Sequence, residues 1–245
     1  MLNEPTLDKL KAMRLHAMAE TWEQQQSDTQ VSQLTFDERL ALLVDSEYLA
    51  RENRSHRRRL TEAKLKLGQA CIEDIEYPAQ RNLDKAVIRQ LATCRWVAER
   101  LNVTITGATG TGKTFVACAL TQQTCRKGYR ATYRRASRLF DELLLARADG
   151  SYQKLLSRLA RIDVLVIDDL GLAPMTDTQR QDLLEVLEDR YDNRSTIITS
   201  QLPTKSWHEY LADPTLADAI LDRIIHNSHR LALAGPSRRQ QKRKS

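Results

Sequence analysis

Apolar residues recur at helical spacing early in the chain and in short unbroken runs later. Leu15, Met18 and Trp22 fall at i, i+3, i+7, one face of a helix, before the polar residues 23–33 break the pattern. A second helix opens at Thr35-Phe36-Asp37-Glu38. This is a capping box, in which the Thr hydroxyl and the Glu carboxylate satisfy the first free N–H groups. Leu40, Leu43, Val44 and Glu47 carry that helix into Arg51-Glu52-Asn53-Arg54 and beyond, Tyr77-Pro78 breaks it, and residues 83–100 predict one further helix.

From Asn102 the rhythm becomes strand, loop, helix. Val103-Thr104-Ile105-Thr106, Ala131-Thr132-Tyr133, Val164-Leu165-Val166-Ile167 and Thr196-Ile197-Ile198-Thr199 read as strands. Helices are predicted over 113 to about 127, 137–146 and 178–191. Runs such as Val164-Leu165-Val166-Ile167 have no polar alternation, as expected of strands buried on both faces of a parallel sheet. The prediction is an α/β fold, a parallel sheet flanked by helices, with a helical module before it. With 245 residues the chain divides into an N-terminal helical module (1–74), a core (75–235) and a basic tail (236–245).

The strand-to-helix junction at Thr106 carries the chemistry. Gly107-Ala108-Thr109-Gly110-Thr111-Gly112-Lys113-Thr114 satisfies every fixed position of G-x-x-x-x-G-K-S/T. The glycines let successive backbone N–H groups turn toward phosphates, and the following helix adds its positive N-terminal end. Lys113 is placed for the β- and γ-phosphates of ATP, and the Thr114 hydroxyl for Mg²⁺. The apolar run ending in Asp168-Asp169 puts a carboxylate at the sheet's C-terminal edge. Asp168 is expected to hold Mg²⁺, and Asp169 to orient or deprotonate the attacking water. Polar groups at Thr199-Ser200-Gln201 are placed to sense the γ-phosphate or position water, Gln201 having the longer reach; a plain strand-ending turn is the alternative. Arg223, on a late helix, fits a finger reaching a neighbouring subunit's ATP; the alternative is a surface charge.

Charge changes the picture through its distribution. The net charge is +6, and five of the 38 Lys and Arg lie in the last eight residues, where no acid stands. A second basic segment holds Arg51, Arg54, Arg57, Arg58 and Arg59 with Lys64 and Lys66. A third, from Arg126 through Arg134 and Arg135 to Arg138, is interleaved with Tyr129 and Tyr133. Such clusters neutralise phosphates without reading bases, so sequence-tolerant binding to a DNA backbone is expected; solvated faces are the alternative. No apolar run is long enough for a membrane span, and no signal peptide is visible. The four cysteines form no CxxC pair, which fits reduced thiols of a cytoplasmic protein and leaves no zinc site.

With these residues assembled, the chain resembles IstB-type transposition helper ATPases, in the AAA+ branch that includes the DnaC helicase loaders. The resemblance covers nearly the whole chain. It is carried by Leu10-Lys11-Ala12-Met13-Arg14-Leu15, by residues 36–43, by Ala146-Arg147-Ala148-Asp149-Gly150-Ser151-Tyr152, by Asp168-Asp169-Leu170-Gly171-Leu172-Ala173-Pro174, by residues 195–203 and by residues 213–223. It implies an ATPase that forms an ATP-dependent homo-oligomer on duplex target DNA and stimulates a cognate transposase in the bacterial cytoplasm. It also implies that Lys113 and Thr114 carry the Walker A role, Asp168 the Walker B role, Gln201 or a neighbour the sensor role, and Arg223 the finger. Two departures stand out. The wider AAA+ pattern carries Glu where Asp169 stands, and the 22 residues after Arg223 are too few for the usual helical lid. Two rival readings follow: a loader of a replicative helicase, and a DNA-binding scaffold with ATP as a structural ligand.

Overall fold

The computed structural model describes residues 4–28 and 30–237; most of the basic tail lies outside them. Two compact units are present, Met1–Arg58 and Arg59–Ser245. The division falls at Arg58/Arg59 rather than at residue 74. The physical reason is that residues 59–74 join the second unit's interior: Ala63 and Ala70 are buried there, and Arg59 Nε donates to the Cys125 carbonyl at 2.9 Å.

The first unit contains α1 (Glu4–Ala12), α2 (His16–Ser27) and most of α3 (Phe36–Ala63). The expected capping box opens α3: Thr35 N–H donates to Glu38 Oε2 at 2.8 Å and Glu38 N–H to Thr35 Oγ1 at 3.4 Å. The start of α2 has no cap of its own. Glu47 of α3 supplies one, accepting from the N–H groups of Ala17 and Met18 at 3.0 and 3.3 Å. α3 ends at Ala63, ahead of Lys64 in left-handed backbone (φ 51°), and not at Tyr77-Pro78.

The second unit holds α4 (Lys85–Ala92), α5 (Arg95–Ala98), β1 (Asn102–Gly107), α6 (Lys113–Arg126), β2 (Ala131–Arg135), α7 (Ala136–Ala148), α8 (Tyr152–Arg161), β3 (Val164–Leu170), α9 (Asp177–Glu188), β4 (Ser195–Ser200), α10 (Trp207–Leu211), α11 (Pro214–Ile225) and β5 (Ser228–Leu233). The single helix expected over 83–100 is split because Cys94 adopts φ 60°, which no helix continues through. Neither α8 nor β5 was expected from sequence. The sheet is wholly parallel in the order β2-β3-β4-β1-β5.

Its two faces bury separate cores, and β3 shows why its sequence lacks polar alternation. Val164 and Val166 face the core closed by α4, α5 and α6, while Leu165 and Ile167 face the one closed by α7 to α11. The second core is tied together by Arg190, 1% exposed. Its guanidinium donates to the carbonyls of Leu159 (2.5 Å), Ile162 (2.8 Å) and Ser195 and to Thr196 Oγ1 (3.0 Å). The strand order sets β4 between β1 and β3, so the end of β4 lies between the glycine-rich loop and the acids.

Candidate nucleotide site

The site is assembled from the C-terminal ends of β1, β3 and β4, where an open parallel sheet binds its ligands. β1 ends at Gly107, whose backbone (φ 146°) runs so close to β5 that a Cβ would lie 2.3 Å from the Leu233 carbonyl oxygen. Only glycine fits there. Gly112 (φ 93°) then turns the chain into α6, so Lys113 and Thr114 are the first residues of that helix. Lys113 is buried. Its ammonium donates to the carbonyls of Gly107 (2.7 Å) and Ala108 (3.0 Å), holding the loop curled.

Thr114 and Asp168 meet, as the sequence motifs require. The Thr114 hydroxyl donates to both Asp168 oxygens at 3.0 and 3.1 Å. Asp168 is fully buried, and a buried carboxylate has to be compensated. Tyr133 of β2 donates to Oδ2 at 2.5 Å and Thr199 of β4 to Oδ1 at 2.6 Å. The Lys66 ammonium stands 3.8 Å from Oδ2. Burial first, and then the bond to Asp168, push the Tyr133 phenol far above its ordinary pKa, so it remains a donor at any physiological pH.

Asp169 sits at an irregularity in the β3–β4 register between Ile167 and Leu170, in left-handed backbone at φ 62°. Thr199 holds it there: the Asp169 N–H donates to Thr199 Oγ1 at 2.9 Å. The Asp169 carboxylate lies 3.2 Å from Arg135 Nε and 3.9 Å from Lys66 Nζ. Gln201 accepts through Oε1 from the Thr109 hydroxyl at 2.7 Å, which ties the end of β4 to the loop.

These groups open onto a cleft of about 650 Å³ lined by Lys66, Lys113, Thr114, Arg135, Asp169 and Gln201, among others. Three cations and a helix N-terminus face it, suited to a polyphosphate. The residues also fit a hard divalent cation, because the Thr114 hydroxyl and the Asp168 carboxylate present oxygen donors side by side.

Arg223 is placed elsewhere. It does not line this cleft; on its own chain it pairs with Glu188 of α9, donates to the Ala219 carbonyl at 2.9 Å, and lies 5.9 Å over the Tyr191 ring. The bond to Glu188 raises its pKa further. The sequence's basic clusters are dispersed rather than gathered. Arg51 pairs with Glu47 at 2.9 Å, while Arg54, Arg57 and Arg58 are exposed on α3. Arg126 pairs with Glu73 at 2.8 Å and Arg134 with Glu142 at 3.0 Å, and Arg135 points into the nucleotide cleft.

Lys66, Tyr133 and the bridging role of Thr199 were missed from sequence. Tyr133 and Thr199 carry one available signal, a hydroxyl at a buried strand position. Lys66 carries none, since its place depends on how the segment after α3 folds back onto the sheet. Among the described residues no His, Cys, Asp and Glu cluster suits a further metal, and no helix is long and apolar enough to cross a membrane.

A glycine-rich loop at the end of β1, an acid at the end of β3 and the order β2-β3-β4-β1-β5 together define a P-loop nucleotide-binding protein of the AAA+ fold. The IstB-like ATP binding protein family matches residues 8–245, and the chain belongs to it. It is 47% identical over 246 residues to "Putative insertion sequence ATP-binding protein y4pL" of Sinorhizobium fredii, each chain being covered in full. It is 45% identical over 206 residues to "Insertion sequence IS1162 putative ATP-binding protein" of Pseudomonas fluorescens, covering 84% of this chain and 89% of that one. Among solved structures, the DnaC helicase loader superposes with a TM-score of 0.54 at 23% identity, over 67% of this chain and 96% of the loader. At that identity the likeness is one of fold.

Proposed function

We propose that this chain is the ATPase helper of an insertion-sequence transposase, forming an ATP-dependent homo-oligomer on duplex target DNA. The observation that carries the reading is the joining of Thr114 to the buried Asp168 beside Lys113, a constellation whose groups serve a nucleoside triphosphate with a divalent cation. Magnesium, when bound, would neutralise phosphate charge, held by Thr114 and Asp168. Lys113 leaves its loop carbonyls for the β- and γ-phosphates. Asp169 orients a water and accepts its proton as the water oxygen attacks the γ-phosphorus and the bond to the ADP oxygen breaks. Thr199 fixes the backbone that carries Asp169 and is better placed than Gln201 for the sensor role. Arg223, pairing with Glu188 at the surface, completes a neighbour's site in trans, and this makes turnover depend on assembly.

The insertion-sequence relatives support a transposase as the client. One observation favours a non-hydrolysing scaffold instead: Arg135 engages the Asp169 carboxylate that the enzyme reading needs as a base. The deciding experiment measures the mass of the species formed on a short duplex with ATP, ADP or no nucleotide, together with turnover, for wild type, Lys113→Ala and Arg223→Ala. ATP-dependent assembly with turnover lost in both variants is expected. Assembly without turnover in wild type establishes the scaffold, and a monomer under every nucleotide refutes assembly on target DNA.

A further inference from the structure

A groove of about 1030 Å³ runs beside β2, the edge strand of the sheet, between α7 and α8. Six bases line it: Lys64, Arg130, Arg134, Lys154, Arg158 and Arg161. The two acids among its lining residues are occupied, Glu142 by Arg134 at 3.0 Å and Asp149 by the Ser151 N–H at 2.9 Å.

Lys154, Arg158 and Arg161 fall at i, i+4 and i+7 on α8, opposite the buried Leu155, Leu156 and Leu159. All three are exposed, and none makes an ion pair among the described residues. Like charges at helical spacing repel by a few tenths of a kcal/mol per pair, and among the described residues no ion pair offsets that cost. Of the clusters that sequence singled out, Arg51, Arg126, Arg134 and Arg135 have carboxylate partners, and Arg130 across the groove stands 4.0 Å from Glu62.

The three side chains span about 10.5 Å of helix axis at about 1.5 Å per residue. Successive phosphates of a duplex strand rise by about 3.4 Å, so the row covers the advance of about three. A small anion would call for converging groups. A row of uncompensated cations along an open groove matches a polymer of regularly spaced phosphates. No Asn or Gln lines the groove to read adenine edges.

We propose that the α8 face bearing Lys154, Arg158 and Arg161, continued by Lys64 and Arg130 across the groove, holds the sugar–phosphate backbone of duplex DNA. This deepens the reading of the chain as a DNA-binding ATPase and rests on it.

The test uses the full chain with ATP and a fluorescein-labelled duplex of arbitrary sequence, titrated by anisotropy from 50 to 200 mM salt. Three variants are compared with wild type: the triple Lys154→Ala, Arg158→Ala, Arg161→Ala; the single Arg158→Ala; and the triple Arg54→Ala, Arg57→Ala, Arg58→Ala. Loss of three phosphate contacts flattens the slope of log K against log salt by about 2.7, and loss of one by about 0.9. The α8 triple is expected to approach the first value and Arg158→Ala the second, with nucleotide affinity unchanged in both. A wild type that shows no salt-dependent binding under any nucleotide removes the DNA-binding reading itself. A wild type that binds, with both α8 variants keeping its slope and affinity, overturns the groove alone, as does a slope loss confined to the α3 triple.

Discussion

Replacing Thr199 by valine keeps the side chain's shape and deletes one oxygen. That oxygen is fully buried and does two things: it donates to Asp168 Oδ1 at 2.6 Å and accepts from the Asp169 N–H at 2.9 Å. A hydrogen bond to a charged group is worth about 1.5–3 kcal/mol, and a buried N–H left unpaired costs about 1–3 kcal/mol. Asp168 keeps Tyr133 and Thr114, so the lower part of each range applies, and the expected loss is about 3 kcal/mol. Thr199→Ser retains the oxygen and removes one methyl, a loss of about 1 kcal/mol.

The assay is urea unfolding followed by tryptophan fluorescence, because Trp96 and Trp207 are both buried in the second unit. At an m-value of about 2–3 kcal/mol/M, Val should lower the midpoint by about 1–1.5 M and Ser by about 0.3–0.5 M. Turnover should follow the same order, falling further than ATP affinity does, since the valine releases the backbone of Asp169 while leaving the loop intact. Equal midpoints for Val and Ser would refute the reasoning, for they would mean that the bridging oxygen contributes nothing.

Arg190→Met leaves the carbonyls of Leu159, Ile162 and Ser195 without their donor. Burial depresses the pKa of Arg190 to about 9, so losing the charge offsets part of the cost; the net loss should be about 3 kcal/mol by urea melts, and no loss would show that the guanidinium is not a staple. In the first unit, burial works to raise the pKa of Glu47 but is outweighed by Arg51 and the N–H groups of Met18 and Ala17, so the carboxyl lies below its ordinary 4.5. A depressed carboxyl stabilises the fold above its unfolded value and loses that contribution as pH falls through the folded one. Acid titration of Trp22 fluorescence should therefore show destabilisation setting in below about 4.5, and Glu47→Gln should weaken that dependence, leaving the part due to Glu38, whose carboxyl its Thr35 bonds also hold low. Mixing Lys113→Ala with Arg223→Ala, each inactive alone, should recover turnover at interfaces where an intact loop meets an intact arginine. Failure to recover any would place Arg223 outside the neighbour's site.

What could be read from the sequence is what local spacing determines. The strand runs, the helix from Lys113 and the meeting of Asp168 with Thr114 follow from an unbroken apolar period and from a loop whose geometry leaves one place for the acid. What could not be read depends on distant parts of the chain. β5 alternates weakly, with only Leu231 and Leu233 fully buried, and becomes a strand because β1 offers it a free edge. α8 has clear amphipathic spacing, Tyr152, Leu155, Leu156 and Leu159 against Lys154, Arg158 and Arg161, and was overlooked beside the run that follows it. Charges misled most: Arg134 and Arg135 are neighbours in sequence, yet Arg135 faces Asp169 and Arg134 faces Glu142, because consecutive residues of β2 point to opposite faces. Counting bases in a window cannot separate an arginine already paired from one awaiting a ligand.

The same distinction bears on the proposed finger. In the cleft, Lys66, Lys113 and Arg135 stand against Asp168 and Asp169, so the chain's own cations are largely committed to its own acids and loop carbonyls. A triphosphate adds more negative charge than one divalent cation removes, and the transition state of phosphoryl transfer spreads that charge over the γ-oxygens. Further positive charge has to come from outside the cleft. Arg223 is suited to supply it because its own partnership is weak: Glu188 is more than half exposed, and exposed pairs contribute about 0–1 kcal/mol. In the proposed assembly, exchanging that carboxylate for a neighbour's phosphate would cost little and would yield a charge-assisted bond. On the proposed reading, an isolated subunit keeps Arg223 idle on Glu188, and the arrival of a second nucleotide-loaded copy would be the switch to the engaged state.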